Sequence, residues 1–259
     1  MKLAYITGAT KGIGRSTAVT FANAGWNLIL LARDIEMLEM LRDELSDTGS
    51  TINVVKCNLS NSDEIDNSIN ESIKKYGCPS DLINNAGSAF NGNLVEMPLT
   101  KWQEIIQINL TSVFQICSLI VPKMRKNGGL IINVSSHASN NAFPQWGAYC
   151  VSKSALAMFT KCLREEERTN SIRACTITLG SVNTPLWDSE SIKSDFDRTS
   201  MLSSINCDSG CSAIYKIVFD TLVEESIDDL SKSDFIDSVS QRGVLTAVSY
   251  THLTLPTKA

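Results

Sequence analysis

The chain has 259 residues, 43% hydrophobic and 20% charged, a mix that can bury a large core without disulfide or metal staples. Lys and Arg number 23 against 28 Asp and Glu, a net charge of -5, and no basic cluster marks a nucleic-acid partner. Eight scattered cysteines form no CxxC pair and His137 and His252 lie far apart, so neither a metal site nor a disulfide framework is expected, and reduced thiols point to the cytoplasm.

The N-terminus reaches Gly8 too soon for a signal peptide. No apolar run approaches the ~20 residues of a membrane helix, so no membrane partner is expected. Strand-like and helix-like segments then alternate. "KLAYIT" is a short apolar run that stops at Gly8, and a helical pattern follows over 13–24. "NLILLA" is a second buried run, followed by an amphipathic helix over 35–47 with Asp34 as its N-cap. "INVVKC" precedes a helix over 61–75, and "DLIN" precedes a loop and a long helix over 100–126. "GLIINVS" precedes a helix over 147–168, and "RACTITL" is the sixth strand.

Apolar strands each followed by a helix predict a parallel sheet covered on both faces, that is, an α/β doubly wound fold of Rossmann type with about seven strands. One domain is expected over 1–246, with a polar substrate loop over 185–208, a helix over 209–224 and a seventh strand near 226–240. The closing string "VSYTHLTLPTKA" has no clear turn or helix logic, so 247–259 is expected to be a non-native or disordered tail.

"TGATKGIGR" follows the first strand and opens the first helix. Gly8, Gly12 and Gly14 allow a tight turn and a close backbone approach, and the helix start offers free N–H groups to a pyrophosphate. A bare βα turn would use the same glycines, but the strand before and the helix after favour a nucleotide site. The ribose position at the end of the second strand holds Ala32 and Arg33 rather than an acid, and Lys11 adds a second cation. That pair favours NADP(H) over NAD(H). Asp34 is the opposing feature, unless it is spent on capping.

Tyr149 and Lys153 stand four apart, one helical turn, so an ammonium can stabilise a phenolate. Alone, such a pair arises by chance. Ser136 changes the weight, because it follows the fifth strand at the ligand-binding edge of such a sheet. Together with "NNAG" at 84–87, "IN" ending at Asn109, "NVSS" at 133–136, "YCVSK" at 149–153 and "LGSVNTP" at 179–185, these pieces resemble the classical short-chain dehydrogenase/reductase family over about 3–225.

The resemblance implies an oxidoreductase acting on a small-molecule carbonyl or alcohol. Tyr149 would be the acid/base, Lys153 would lower its pKa and hold the nicotinamide ribose, and Ser136 would orient the substrate oxygen. Asn109 would hold a water of a proton relay. Gly8, Lys11, Gly12, Ile13 and Gly14 would wrap the phosphates, and Asn85, Ala86 and Gly87 would flank the adenosine. Val182 and Thr184 would face the carboxamide. Asn58 stands where the family has an Asp against adenine, and Leu179 where it has Pro before Gly180. Helices 100–126 and 147–168 would form a homodimer or homotetramer interface. Phe90, Phe143, Trp146, Trp187 and Met201 are candidates for an apolar pocket or for ordinary packing. The alternative function is a non-catalytic NADP(H) sensor or scaffold on the same fold.

Overall fold

The computed structural model describes residues 2–179, Leu186 and the backbone of Val248–Tyr250. Strand β1 (Leu3–Thr7) leads into helix α1 (Gly12–Asn23), then β2 (Asn27–Ala32) and α2 (Ile35–Glu44). Next come β3 (Ile52–Lys56), α3 (Ser62–Tyr76) and β4 (Asp81–Asn84). A loop precedes α4 (Leu99–Ile106), a π-helical turn (Gln107–Thr111) and α5 (Ser112–Met124). The chain continues through β5 (Gly129–Ser136), α6 (Gly147–Glu167) and β6 (Ile172–Leu179) to β7 (Val248–Tyr250). The sheet order is β3-β2-β1-β4-β5-β6-β7, with β1 to β6 parallel.

Alternation along each strand builds two cores. Leu28 and Leu30 of β2 pack with Phe21, Trp26 and Leu38 on the α1–α2 face. Ile29 and Leu31 face the other way and pack with Ile65, Ile69, Ile116 and Leu156 from α3, α5 and α6. Period two sends neighbours to opposite faces, and a sheet buried on both faces favours apolar residues at successive positions. Each such fully buried Leu or Ile contributes roughly 1.5–3 kcal/mol.

Local chemistry fixes the helix ends. Asp34 caps α2 by accepting from Met37 N at 3.1 Å. Asn61 caps α3 by accepting from the Asp63 and Glu64 amides. Gly77, at φ 96, ends α3 in a conformation that side chains rarely adopt.

Two expectations need correction. The single long helix over 100–126 is interrupted, because a π-turn inserts an extra residue at Gln107–Thr111 and re-aims Asn109. The span Leu99–Met124 is also long and apolar enough by composition to cross a membrane. Val113, Ile116, Cys117, Ile120 and Val121 are nevertheless buried against the sheet and α3, which makes it a core helix of this fold. The expected helix over 209–224 and strand near 226–240 lie outside the described residues. A seventh strand is found at Val248–Tyr250, inside the segment expected to be a tail, pairing antiparallel with β6. Its β-rich residues take up the free edge that β6 would otherwise present.

Candidate active site

The strand order reverses between β1 and β4, which are neighbours with chain running away on either side. In such sheets the crevice outside the carboxyl ends at the reversal is where ligands bind. Here a cleft of about 540 Å³ lies at that place, running from Arg33 and Asn58 past Gly8 and Ala86 to Tyr149.

The glycine turn forms one wall. Gly8 and Gly12 have φ of 66° and 53°, and the Gly8 amide donates to Leu31 O at 2.8 Å. A side chain on Gly14 would collide with the Gly8 carbonyl oxygen and the Asn85 amide, so only glycine fits there. The turn after β4 is bonded to it. Asn85 Nδ2 donates to the carbonyls of Thr7 and Gly8 at 3.0 and 3.2 Å. The amides of Asn85 and Ala86 both donate to Thr7 Oγ1. Asn85 therefore builds the wall with its side chain and faces the cleft only in part, and Thr7 is a structural partner that sequence inspection did not single out.

Lys11, Ile13 and Arg33 line the cleft, and Lys11 and Arg33 are exposed. Arg33 forms no ion pair among the described residues. Asp34 also lines the cleft, but its carboxylate is bonded to the start of α2. Asn58 lies at the same end, its Oδ1 accepting from Ser60 N at 3.1 Å. Val182 and Thr184 lie outside the described residues, whereas Leu179 ends β6 buried in the cleft floor. A glycine-only turn and a helix start, with Lys11 and Arg33 on the cleft wall, together fit a dinucleotide.

The other end is built from side chains. Tyr149 and Lys153, in the first two turns of α6, are 6% and 4% exposed. Lys153 Nζ donates to Val134 O at 2.8 Å and lies 5.8 Å from the Tyr149 ring centre. Ser136, at the end of β5, lines the cleft beside Tyr149, where its hydroxyl acts to lower the phenol pKa, and it accepts from Ala138 N at 3.2 Å. A Cβ at Gly87 would stand 3.5 Å from Asn109 Oδ1 and 3.6 Å from Lys153 Nζ, so these groups converge on one glycine.

Asn109 is fully buried by the π-turn. Its Nδ2 donates to Ser88 O and Ser152 Oγ at 2.8 and 2.9 Å, and its Oδ1 accepts from Ser88 N at 2.7 Å. Both amide hydrogens are thus taken by protein. Ser152 is a partner the sequence did not reveal, although it stands three residues after Tyr149, on the same helical face.

Electrostatics bring a further correction. The phenol of Tyr149 was expected to be held low by Lys153. Burial instead pushes it up to about 12, against the lowering effect of the Ser136 hydrogen bond. Burial also lowers Lys153 to about 8. Desolvation penalises both charged forms.

The chain resembles proteins already known. Residues 2–195 match the family model described as short chain dehydrogenase. It is 33% identical over 191 residues to a 3beta-hydroxysteroid dehydrogenase of Mediterraneibacter gnavus, covering 73% of this chain and 69% of that protein. It is 31% identical to a 3-oxoacyl-(acyl-carrier-protein) reductase of Thermotoga maritima, covering 72% and 76%. A metagenomic short-chain oxidoreductase in complex with NADP superposes with a TM-score of 0.72 at 27% identity, covering 83% of this chain and 89% of that one. A gluconate 5-dehydrogenase of Burkholderia cenocepacia, in complex with NADP and tartrate, gives 0.75 at 25% identity, covering 82% and 86%. By sequence match, sheet order and cleft alike, the chain belongs to the short-chain dehydrogenase family of oxidoreductases.

Proposed function

We propose that this protein is an NADP-dependent oxidoreductase that interconverts a carbonyl compound and its alcohol, with Tyr149 as the acid/base. The observation that carries the proposal is the convergence of Ser136, Tyr149, Lys153 and Asn109 at one end of a cleft whose other end carries Lys11 and Arg33. The NADP-bound relatives support the cofactor choice.

NADPH, when bound, supplies the hydride. The protein's own groups do the rest. Gly8, Gly12 and Gly14 admit the pyrophosphate to the start of α1, and Arg33 and Lys11 would pair with a 2′-phosphate. Tyr149, pushed up to about 12, keeps its proton at neutral pH and can donate it to the carbonyl oxygen. The Ser136 hydroxyl would donate to that same oxygen and hold it in reach. Lys153, lowered only to about 8, stays largely charged at neutral pH. One of its three hydrogens is spent on Val134 O, leaving two for the ribose and for the phenol oxygen as charge develops there. The Asn109 amide hydrogens are occupied, so a relay water at this residue would be held through an oxygen acceptor. Asn85, Ala86 and Gly87 would flank the adenosine side, with Asn58 at the adenine end.

The test is a panel of ethyl acetoacetate, acetophenone, menadione and a 3-ketosteroid, each with NADPH and NADH side by side. Tyr149→Phe is expected to lower turnover by about a thousandfold or more while NADPH still binds. Full NADPH-dependent turnover in that variant would reject the assignment.

We also propose self-association through α5 and α6. Phe114, Val151 and Met158 are 57%, 43% and 58% exposed, and Phe114 packs edge-on against Phe159 of the neighbouring helix. The resulting apolar strip matches the interface that the family resemblance implies. Light scattering after size exclusion is expected to give a dimer or tetramer mass, and a purely monomeric peak would refute it.

A further inference from the structure

We propose that Trp146 is a positioning residue for Tyr149: its indole, pinned by the turn that starts α6, holds the phenol ring towards Ser136 and shields the ring from water. The inference rests on Tyr149 acting as the acid/base.

Trp146 and Tyr149 are 8% and 6% exposed, with ring centres 6.2 Å apart and planes inclined at 75°. That is the edge-to-face arrangement favoured by the ring quadrupoles. Together with Ala138 they form a small apolar cluster separate from the two main cores, flanked by Ala89 and Cys150. Tyr149 lines the cleft and Trp146 does not. The indole is thus placed edge-on against the phenol.

The indole is held unusually firmly. Gln145 adopts a left-handed φ of 65°, which few non-glycine residues do. Its carbonyl accepts from Gly92 N at 2.9 Å, which ties the loop after β4 to the turn before α6. Trp146 N donates to Phe143 O at 3.1 Å, and Trp146 O accepts from Cys150 N at 2.9 Å. The indole thus projects from a backbone fixed by the helix on one side and by a second loop on the other.

Near the phenol stand the Ser136 hydroxyl, the Lys153 ammonium and the indole edge. The indole is the large aromatic partner of the ring among the described residues, beside the smaller Ala138 and Ala89 of the same cluster. A tyrosine ring is free to swing about two side-chain torsions, and a misplacement of about 1 Å at a reacting group can cost about a hundredfold in rate.

Trp146→Leu, Trp146→Phe and Trp146→Ala are to be compared with the unaltered protein, each also combined with Tyr149→Phe. The first measurement is ultraviolet titration of tyrosinate. The difference between each variant and its Tyr149→Phe counterpart reports Tyr149 alone and needs no substrate. The second is kcat and KM for the carbonyl compound that the panel selects; if it selects none, the titration alone decides. Trp146→Leu, which keeps bulk but has no ring edge, is expected to lower kcat about tenfold while the KM for NADPH stays within about twofold. It should also move the Tyr149 titration to lower pH, because water then reaches the ring and stabilises the anion. Trp146→Phe should restore both. An unchanged kcat or an unshifted titration in Trp146→Leu would overturn the inference, as would Trp146→Phe failing to restore either. Should Trp146→Ala not fold, the Leu and Phe variants still decide. Full turnover in Tyr149→Phe would reject the proposed function and this inference together, whereas an inactive Tyr149→Phe beside an unaltered Trp146→Leu would reject this inference alone.

Discussion

At the carboxyl ends of β1, β4 and β5, backbone and side chains leave polar groups available to a ligand. No side chain caps the start of α1, Arg33 has no ion-pair partner among the described residues, and Lys153 Nζ donates one hydrogen to Val134 O. At the amino ends of the same strands, polar groups are used up locally. Ser80 Oγ accepts from Leu3 N, and its single hydrogen lies within reach of Asp81 Oδ2 at 2.6 Å and of Leu3 O at 3.1 Å. Tyr5 OH donates to Gly77 O at 2.9 Å. Each edge also buries ionisable groups whose charge is disfavoured, Tyr149 and Lys153 above and Asp81 below. Under the proposed function the same desolvation serves chemistry at one edge and packing at the other.

Two close-packed glycines give the sharpest way to break this comparison. A side chain on Gly14 would meet the Gly8 carbonyl and Asn85, and one on Gly129 would meet Met124 and the Ser80 carbonyl. Overpacking at either costs about 1–3 kcal/mol of stability. Only Gly14 touches the dinucleotide turn. Gly14→Ala is expected to weaken NADPH binding by about tenfold to a hundredfold, the same energy expressed as affinity. Gly129→Ala should leave binding unchanged. Fluorescence titration of NADPH against both variants checks this, and equal losses would show that the two edges are not independent.

How much of this could be read from sequence follows the same division. Strand β2 falls where the run "NLILLA" places it, because a strand buried on both faces leaves a nearly continuous apolar signature, and β4 matches "DLIN". Asp34 as an N-cap was legible because capping is a local backbone matter. Gly8 and Gly14 were legible because steric exclusion demands one residue type. The π-turn at Asn109 was not, since no glycine or proline within it marks the extra residue and apolar periodicity runs on through it. The upward shift of Tyr149 was also hidden. Helical spacing shows that Lys153 is near, but not that both groups are sealed from water. Burial is a tertiary quantity, and here it decides the sign.

The lower edge offers the smaller test, and its direction follows from burial. Asp81 is 3% exposed and its carboxyl is pushed up to about 6, chiefly by desolvation, with Ser80, Arg173 and Lys2 acting in the opposite sense. An unfolded Asp titrates near 3.9. The fold therefore binds this proton more tightly than the unfolded chain does. The stability that follows is fully present below about pH 4 and fades as pH rises through about 6. The difference of about two units corresponds to about 3 kcal/mol at most. Asn mimics the neutral acid, can still accept from Ser80, and does not titrate. Asp81→Asn should thus gain stability relative to the unaltered protein between pH 5 and pH 8, by about 2 kcal/mol, with NADPH affinity unchanged. Thermal unfolding of both proteins across that range measures the gap. A gap that stays constant with pH would mean that the carboxyl is not held protonated by its burial, and that the resemblance between the two buried charges is one of position only.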